Sequence, residues 1–173
     1  MSVQQATILN YIQASGKRFD VEKFWGKWYI VRSSRSLWRS RINPSVTYTM
    51  LEPGNRTKLL EVVHYGSLAK PKQEMGVDQQ DKKLPNLFHR HGRTGLSQFL
   101  RSQWVVLDHD ASHRTWAVVY FYGGAFTPEG IDLYACQPDL PVKQIDELVR
   151  RLQANPDWKG YAEQFFTPPH EST

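Results

Sequence analysis

The sequence predicts an all-β chain with one C-terminal helix: an eight-stranded antiparallel up-and-down β-barrel with an amphipathic helix packed outside. Two observations support this prediction. Short runs rich in Val, Tyr, Trp and Thr alternate with clusters of turn residues along most of the chain, and one strongly amphipathic segment follows them. Consecutive strands with short connections pair antiparallel, and so many of them form a barrel or a sandwich.

The eight predicted strands are bounded by turn-forming segments such as Glu52-Pro53-Gly54-Asn55. They are predicted at residues 27–34, 45–51, 58–65, 73–78, 86–91, 103–108, 115–122 and 131–136. A weak apolar stripe predicts a helix in residues 3–15, closed by Gly16. The stronger helix is predicted to begin at an Asp139 N-cap and to end at Asn155-Pro156. Its stripe, which should pack against the barrel, is Val142, Ile145, Leu148, Val149 and Leu152.

Length and composition fit one globular domain. The chain has 173 residues, of which 40% are hydrophobic, 23% charged and 13% aromatic. Aromatic and β-branched residues suit pleated surfaces and line ligand cavities. We therefore predict a partly helical N-terminal extension at residues 1–18 and a single domain at residues 19–173.

Basic residues are concentrated in two stretches that lack Asp and Glu, within a chain of net charge +5. The stretch between Glu22 and Glu52 contains Arg32, Arg35, Arg39 and Arg41, and the stretch between Asp81 and Asp108 contains Lys82, Lys83, Arg90, Arg93 and Arg101. This excess suits an acidic partner, and peripheral contact with an anionic membrane is one expectation. Nucleic acid is an alternative, but no RNA-binding signature is present and we expect no such partner.

Cys136 is the only cysteine, so neither an intrachain disulfide nor a zinc site built from cysteines can form. The first ten residues lack a charged region followed by an apolar run. No run approaches the roughly 20 apolar residues of a membrane-spanning helix. We expect a soluble protein in the cytoplasm, unless a leader has been removed; the oligomeric state stays open.

The most specific motif is the segment from Phe19 to Ile30, which contains Gly26-Lys27-Trp28-Tyr29. It resembles the first lipocalin motif, in which a short helical turn leads through Gly-x-Trp-Tyr into the first strand. Gly26 permits a close turn, and Trp28 would plug the closed end of the barrel. Residues 104–108 and 116–120 resemble the second conserved region, and the order of elements agrees from residue 19 to 166.

The resemblance implies a lipocalin domain that binds, and carries or stores, a small hydrophobic ligand in its calyx. Bacterial and apolipoprotein-D-like lipocalins and the lipocalin domain of violaxanthin de-epoxidase are similar in layout, which implies a fatty acid, a lipid or an isoprenoid such as a carotenoid. The family's usual Arg at the end of the last strand is absent, because Cys136-Gln137 stand there. The alternative is a de-epoxidase-like or isomerase-like enzyme. We predict no enzyme, because common catalytic motifs are absent and Cys136 suits a buried apolar site.

In the family's arrangement the loop after the first strand covers the open mouth. That places Arg35, Trp38 and Arg39 as a lid, and strand parity points Arg32 inward near the rim. Guanidinium groups bind carboxylate or phosphate in a fork, so we predict a ligand with an anionic head. The alternative is a solvated basic loop anchored by Trp38.

Strand parity also selects candidates for the calyx wall. These are Tyr48, Met50, Val62, His64, Trp104, Val106, Val118 and Tyr120. A register slip of one residue would place their neighbours inside instead, and such side chains can fill a small barrel rather than contact a ligand.

His89 and His91 share one face of a predicted strand, and such a pair can begin a metal or haem site. No third ligand is evident in the sequence. We therefore predict no metal and no cofactor, with haem or another tetrapyrrole as the alternative.

Overall fold

A computed structural model describes residues 2–171 of the chain as a closed antiparallel barrel in which each strand pairs with the next and β8 pairs with β1. The strands are β1 (Gly26–Ser33), β2 (Ser45–Met50), β3 (Lys58–Ser67), β4 (Lys70–Gln80), β5 (Leu87–Gly92), β6 (Arg101–His109), β7 (Trp116–Phe121) and β8 (Gly130–Ala135). The prediction of an eight-stranded up-and-down barrel is confirmed. The largest difference is the β3–β4 hairpin, whose two strands extend further toward their shared turn than predicted.

Four α-helices accompany the barrel: α1 (Val3–Ser15), α2 (Val21–Phe24), α3 (Val142–Gln153) and α4 (Lys159–Ala162). Helix α1 begins with a capping box on Ser2 and ends at Gly16, whose φ of 64° suits glycine. The N-cap of α3 is Pro141 rather than the predicted Asp139, and it makes no side-chain cap bond. Proline is well placed there because its fixed φ suits the start of a helix and its missing N–H is not needed.

The strands separate two apolar clusters, one on each face of the barrel wall. The inner cluster fills the barrel and includes Trp28, Tyr48, Phe88 and Trp104. The outer cluster joins the wall to the helices. Of the predicted α3 stripe, Ile145, Leu148, Val149 and Leu152 pack there, whereas Val142 is 63% exposed. Helix α1 contributes Ile8 and Ile12 to the same outer cluster, so the N-terminal segment is packed against the barrel.

Two β-bulges change the parity of their strands. The pairing of β1 with β8 shifts between Ile30 and Arg32, which leaves Val31 as the extra residue. The pairing of β6 with β7 shifts in the same way between Val106 and Asp108. Beyond each bulge, residues face the side opposite to the one that simple alternation predicts.

Trp28 plugs the closed end of the barrel, as the resemblance implied. Its indole is fully buried, stacks on Phe24 at 5.0 Å and donates through Nε1 to the Phe24 carbonyl oxygen at 2.9 Å. In the β6–β7 turn, Arg114 donates to the Trp25 carbonyl and lies beside Gly26. Within residues 2–171 no helix is both long and apolar enough to cross a membrane.

Candidate functional site

A cavity of about 160 Å³ lies inside the barrel below the open mouth. Its apolar wall includes Ile30, Leu37, Trp38, Val46 and Phe121. Its charged groups are Arg35, Arg41, Glu61, Glu74 and Arg90. The loops after β1, β5 and β7 all reach its rim. This mixed lining, apolar with a few converging polar groups, is typical of small-molecule sites.

Buried charges organise one side of the mouth around Asp132. The Asp132 carboxylate is fully buried and accepts from Ser33 Oγ at 2.6 Å, Arg35 Nη1 at 3.0 Å and Trp38 Nε1 at 3.0 Å. The Arg35 guanidinium also lies 3.7 Å from the centre of the Phe121 ring. One carboxylate on β8 therefore fixes the lid loop that the sequence placed over the mouth.

Arg41 is the most open of the three cavity arginines, with 28% of its side chain exposed. It forms an ion pair with Glu74 at 3.2 Å and lies over the Tyr65 ring at 4.4 Å. The Tyr65 hydroxyl donates to the same Glu74 carboxylate at 2.9 Å. A guanidinium has five N–H donors, so a single carboxylate contact leaves capacity for a ligand.

A second buried charge group lies deeper, where Arg90 Nε donates to Glu61 Oε1 at 2.6 Å. Asp78 is fully buried beside this pair, and its Oδ1 accepts from Trp104 Nε1 at 2.7 Å, while its Oδ2 is buried without a hydrogen-bond partner among the described residues. Burial, together with the neighbouring Glu61 charge, raises the pKa of Asp78 well above its usual range. We therefore assign the proton to Asp78 and the negative charge to Glu61, which balances Arg90.

Aromatic side chains fill the barrel below this group. Trp104 stacks on Phe88 with ring centres 4.3 Å apart, and the Tyr48 ring lies 5.2 Å from the Trp104 ring. The Tyr48 hydroxyl lies 3.2 Å from that of Tyr134, and burial raises the pKa of both phenols. The lower barrel is a packed core, and the open volume is confined to the mouth.

The structure brings some of the predicted ligand-binding residues to the calyx. Arg35 and Trp38 line the mouth cavity, while Tyr48, Trp104 and Val106 lie in the inner cluster below it. The ligand-binding role of each of these residues stays a prediction.

Other predicted positions are wrong. The bulge at Val31 turns Arg32 outward, where its Nη1 donates to the Val31 carbonyl, and Arg39 is exposed with its guanidinium 4.1 Å from the Phe166 ring centre. His64 is exposed, because the inward residues of β3 are its neighbours. Four more residues that were predicted to line the calyx wall point outward or are exposed to solvent. They are Met50, Val62, Val118 and Tyr120.

Tyr120 illustrates the register error. Trp104 pairs with Phe121 across β6 and β7, so Phe121 faces inward and Tyr120 faces the helices. The Tyr120 ring packs against Trp158, and its hydroxyl donates to Glu129, which also accepts from Tyr161 at 2.5 Å. These bonds lower the pKa of Glu129.

Sequence reasoning missed the buried acids Glu61, Asp78 and Asp132. One available signal was Gly76 in the middle of β4, since an isolated glycine in a strand marks close approach of another group. A Cβ at Gly76 would lie 3.0 Å from the Arg90 guanidinium. The glycine therefore leaves the space that Arg90 occupies beside Glu61.

His89 and His91 lie on the outside of the barrel, in an open groove of about 1270 Å³ across β4, β5 and β6. His89 contacts Asp81 at 2.9 Å and Gln103 at 3.0 Å through its two ring nitrogens, and His91 Nδ1 accepts from Arg101 at 2.5 Å. Among the described residues no group of three His, Cys, Asp or Glu side chains could hold a metal ion. Haem ligation by this pair, which stays a hypothesis, would have to break these bonds.

Comparisons with known proteins identify the fold. No protein-family model matches the chain, and no curated protein matches it. Lobster apocrustacyanin A1 is similar at 10% identity, with a TM-score of 0.65 over 99% of this chain and 88% of that one.

Two other solved structures agree. Apocrustacyanin C1 has a TM-score of 0.67 at 10% identity over 95% of this chain and 86% of its own. The siderocalin Ex-FABP, described as functioning through dual ligand specificities, has a TM-score of 0.60 at 12% identity over 87% of this chain and 97% of its own. The chain has the lipocalin fold.

Proposed function

We propose that this protein binds a small organic anion in the mouth cavity, with the apolar body of the ligand inside the barrel and its carboxylate at Arg41. The observation that supports this function best is the cavity itself, which is apolar in its interior and carries arginine at its opening. The ligand-binding siderocalin among the structures with this fold agrees with a binding role. Because Cys136 belongs to the edge of the inner cluster and burial raises its thiol pKa, we propose a binding protein rather than a thiol enzyme.

The volume limits the size of the ligand. Engineered apolar cavities of roughly 150 Å³ bind benzene, whereas sites for drug-sized ligands enclose about 300–1,000 Å³. A cavity of about 160 Å³ therefore suits a single ring or a short alkyl chain. A long-chain fatty acid or a carotenoid, which the resemblance implied, exceeds this volume unless the aromatic side chains below it rearrange.

The charges favour an anionic head at one position. Arg35 and Arg90 already form ion pairs with buried carboxylates. Arg35 Nη1 lies 3.0 Å from Asp132 Oδ2, and Arg90 Nε lies 2.6 Å from Glu61 Oε1. Arg41 and Glu74 are both about one-third exposed, so solvent weakens their mutual attraction. A ligand carboxylate could bind the remaining donors of Arg41 while the Tyr65 ring holds the guanidinium in place.

We expect benzoate to bind with a dissociation constant of about 0.04 mM. Burial of a ring removes about 150 Å² of apolar surface from water and contributes about 4 kcal/mol, and a charge-assisted hydrogen bond adds about 2 kcal/mol. Benzyl alcohol, which has the same ring without the charge, should bind at least about tenfold more weakly. Isothermal titration calorimetry measures both constants.

Three variants localise the head group. Arg41→Ala should weaken benzoate binding about tenfold and leave benzyl alcohol unchanged, whereas Glu74→Gln should strengthen benzoate binding. Arg39→Ala is the matched control, because it removes an exposed arginine of the same loop that does not line the cavity. Equal binding of the two probes, or an equal effect of Arg39→Ala and Arg41→Ala, would contradict the anionic-head proposal.

A further inference from the structure

The four loops at the open end of the barrel differ from the rest of the surface in both charge and hydrophobicity. They comprise residues 34–44, 68–69, 93–100 and 122–129, and we call them the rim loops. In an up-and-down barrel these alternate connections all lie at one end. Three of them line the mouth cavity. The end of β3 that leads into the fourth is joined to the first by the bond from Gly66 N–H to the Ile42 carbonyl at 2.7 Å.

The rim loops carry most of the exposed large hydrophobic side chains of residues 2–171. These are Leu68, Leu96, Phe99 and Phe126, which are 75–86% exposed. The other exposed large hydrophobic side chains of the described residues are Val3, Met50 and Val142, and none of them lies in a rim loop. Three of the four rim loops thus expose large apolar side chains to solvent at the same end of the barrel.

The same loops are basic. Arg39, Arg41 and Arg93 lie in them, and Lys70, Lys72 and Arg101 lie at the adjoining strand ends. Arg35 also belongs to these loops, but its side chain is buried against Asp132. Glu129 is the single acidic residue of the rim loops, and it accepts from tyrosine hydroxyls on the outer side of the barrel. Nearby Glu74 pairs with Arg41, and Glu171 accepts from the Leu68 N–H. At the opposite end, the turns carry acids as well as bases, such as Glu52 and Asp110.

We propose that the rim loops dock on an anionic lipid bilayer, with the side chains of Leu68, Leu96, Phe99 and Phe126 inserted at the interface and the exposed basic side chains on lipid headgroups. Separate apolar tips on several loops suit a bilayer, which accepts isolated side chains at different points. A protein partner would instead bury one continuous apolar patch. The excess of basic residues around the tips supplies the attraction to anionic headgroups. This docking does not depend on the proposed ligand, although it would place the cavity mouth at the membrane surface.

Co-sedimentation of the full chain with vesicles tests the proposal. We expect binding to phosphatidylcholine vesicles that contain phosphatidylserine, weaker binding to phosphatidylcholine alone, and loss of the difference at high salt. The pair Leu96→Ser and Phe99→Ser should reduce the partition coefficient on the serine-lipid vesicles by about tenfold or more. The pair Arg93→Gln and Arg101→Gln should reduce it about fivefold for each charge removed, and only on the anionic vesicles.

Val142→Ser is the matched control, since it removes an exposed apolar side chain from α3, outside the rim loops. It should leave vesicle binding unchanged, and circular dichroism should show that every variant remains folded. No binding to either vesicle, equal binding to both, or an equal loss with Val142→Ser would overturn the proposal. Sedimentation velocity provides a further test, because a self-associated chain that Leu96→Ser and Phe99→Ser dissociate would identify the rim as an interface between copies instead.

Discussion

Simultaneous replacement of Glu61 by Gln and Asp78 by Asn should lower the free energy of unfolding by about 3–5 kcal/mol, because it leaves the Arg90 guanidinium buried without a negative charge. The Arg90 side chain is 14% exposed, and its Nε lies 2.6 Å from Glu61 Oε1. Burial would lower the pKa of Arg90, but the neighbouring Glu61 carboxylate raises it overall. The side chain therefore stays protonated and keeps its charge. Urea denaturation followed by tryptophan fluorescence measures the loss.

Each single replacement should lower the free energy of unfolding by far less than half of the amount lost in the double variant. Asn at position 78 can still accept from Trp104 Nε1 and, like the protonated acid, carries no charge, so we expect a change within about 1 kcal/mol. Gln at position 61 removes the charge, but Asp78 can then ionise and balance Arg90 itself. The two effects should therefore be strongly non-additive, and additive losses would contradict the assignment of the proton to Asp78 and of the negative charge to Glu61.

The stability of the native protein should fall as the pH rises above the usual range for an aspartic acid. The raised pKa of Asp78 means that the folded state keeps a proton which the unfolded state has already released. Between the two pKa values the unfolded state binds fewer protons, so the free energy of unfolding decreases with pH. Asp78→Asn should remove this decrease, whereas Glu147→Gln, which changes an exposed acid of α3, should retain it. Denaturation curves between about pH 5 and pH 8 measure the slope.

The barrel could be predicted from the sequence because its signals are local. Alternation, turn residues and the Gly-x-Trp-Tyr motif each act over a few residues, and all of them agree. The bulges at Val31 and Leu107 could not be predicted, since a bulge is a property of two paired strands. The bulge at Val31 turned Arg32 away from the cavity and brought Ser33 to Asp132.

The site could be predicted only in part. The lid loop was recognisable from four arginines and Trp38 in an acid-free stretch, and Arg35 and Arg41 do reach the cavity. Their acidic partners come from β4 and β8, far away in sequence. Nothing local distinguishes Asp132, which is buried, from an aspartate on the solvent face of a strand. The charge balance of a barrel interior depends on which strands meet, and composition alone does not determine it.

Asp132→Asn should destabilise the protein by about 3–5 kcal/mol and loosen the lid over the mouth. The substitution keeps the size of the side chain but removes the charge that faces Arg35, whose side chain is 7% exposed. An amide has only one oxygen, so it cannot accept from Ser33, Arg35 and Trp38 together as the carboxylate does. Trp38 should then become more accessible, and acrylamide quenching and near-ultraviolet circular dichroism should report its release.

Two variants separate the charge from the hydrogen bonds. Ser33→Ala removes one neutral donor to Asp132 and should cost only about 1 kcal/mol. Arg35→Met combined with Asp132→Asn removes both charges, and it should recover much of the stability that the single Asp132→Asn variant loses. If Asp132→Asn cost no more than Ser33→Ala, the ion pair would not hold the lid, and packing of Trp38 in the inner cluster would have to hold it instead. If the double variant recovered nothing, the loss would come from the hydrogen bonds to Ser33 and Trp38 rather than from an unbalanced charge. The combination therefore identifies which physical interaction holds the lid loop in place over the mouth of this barrel.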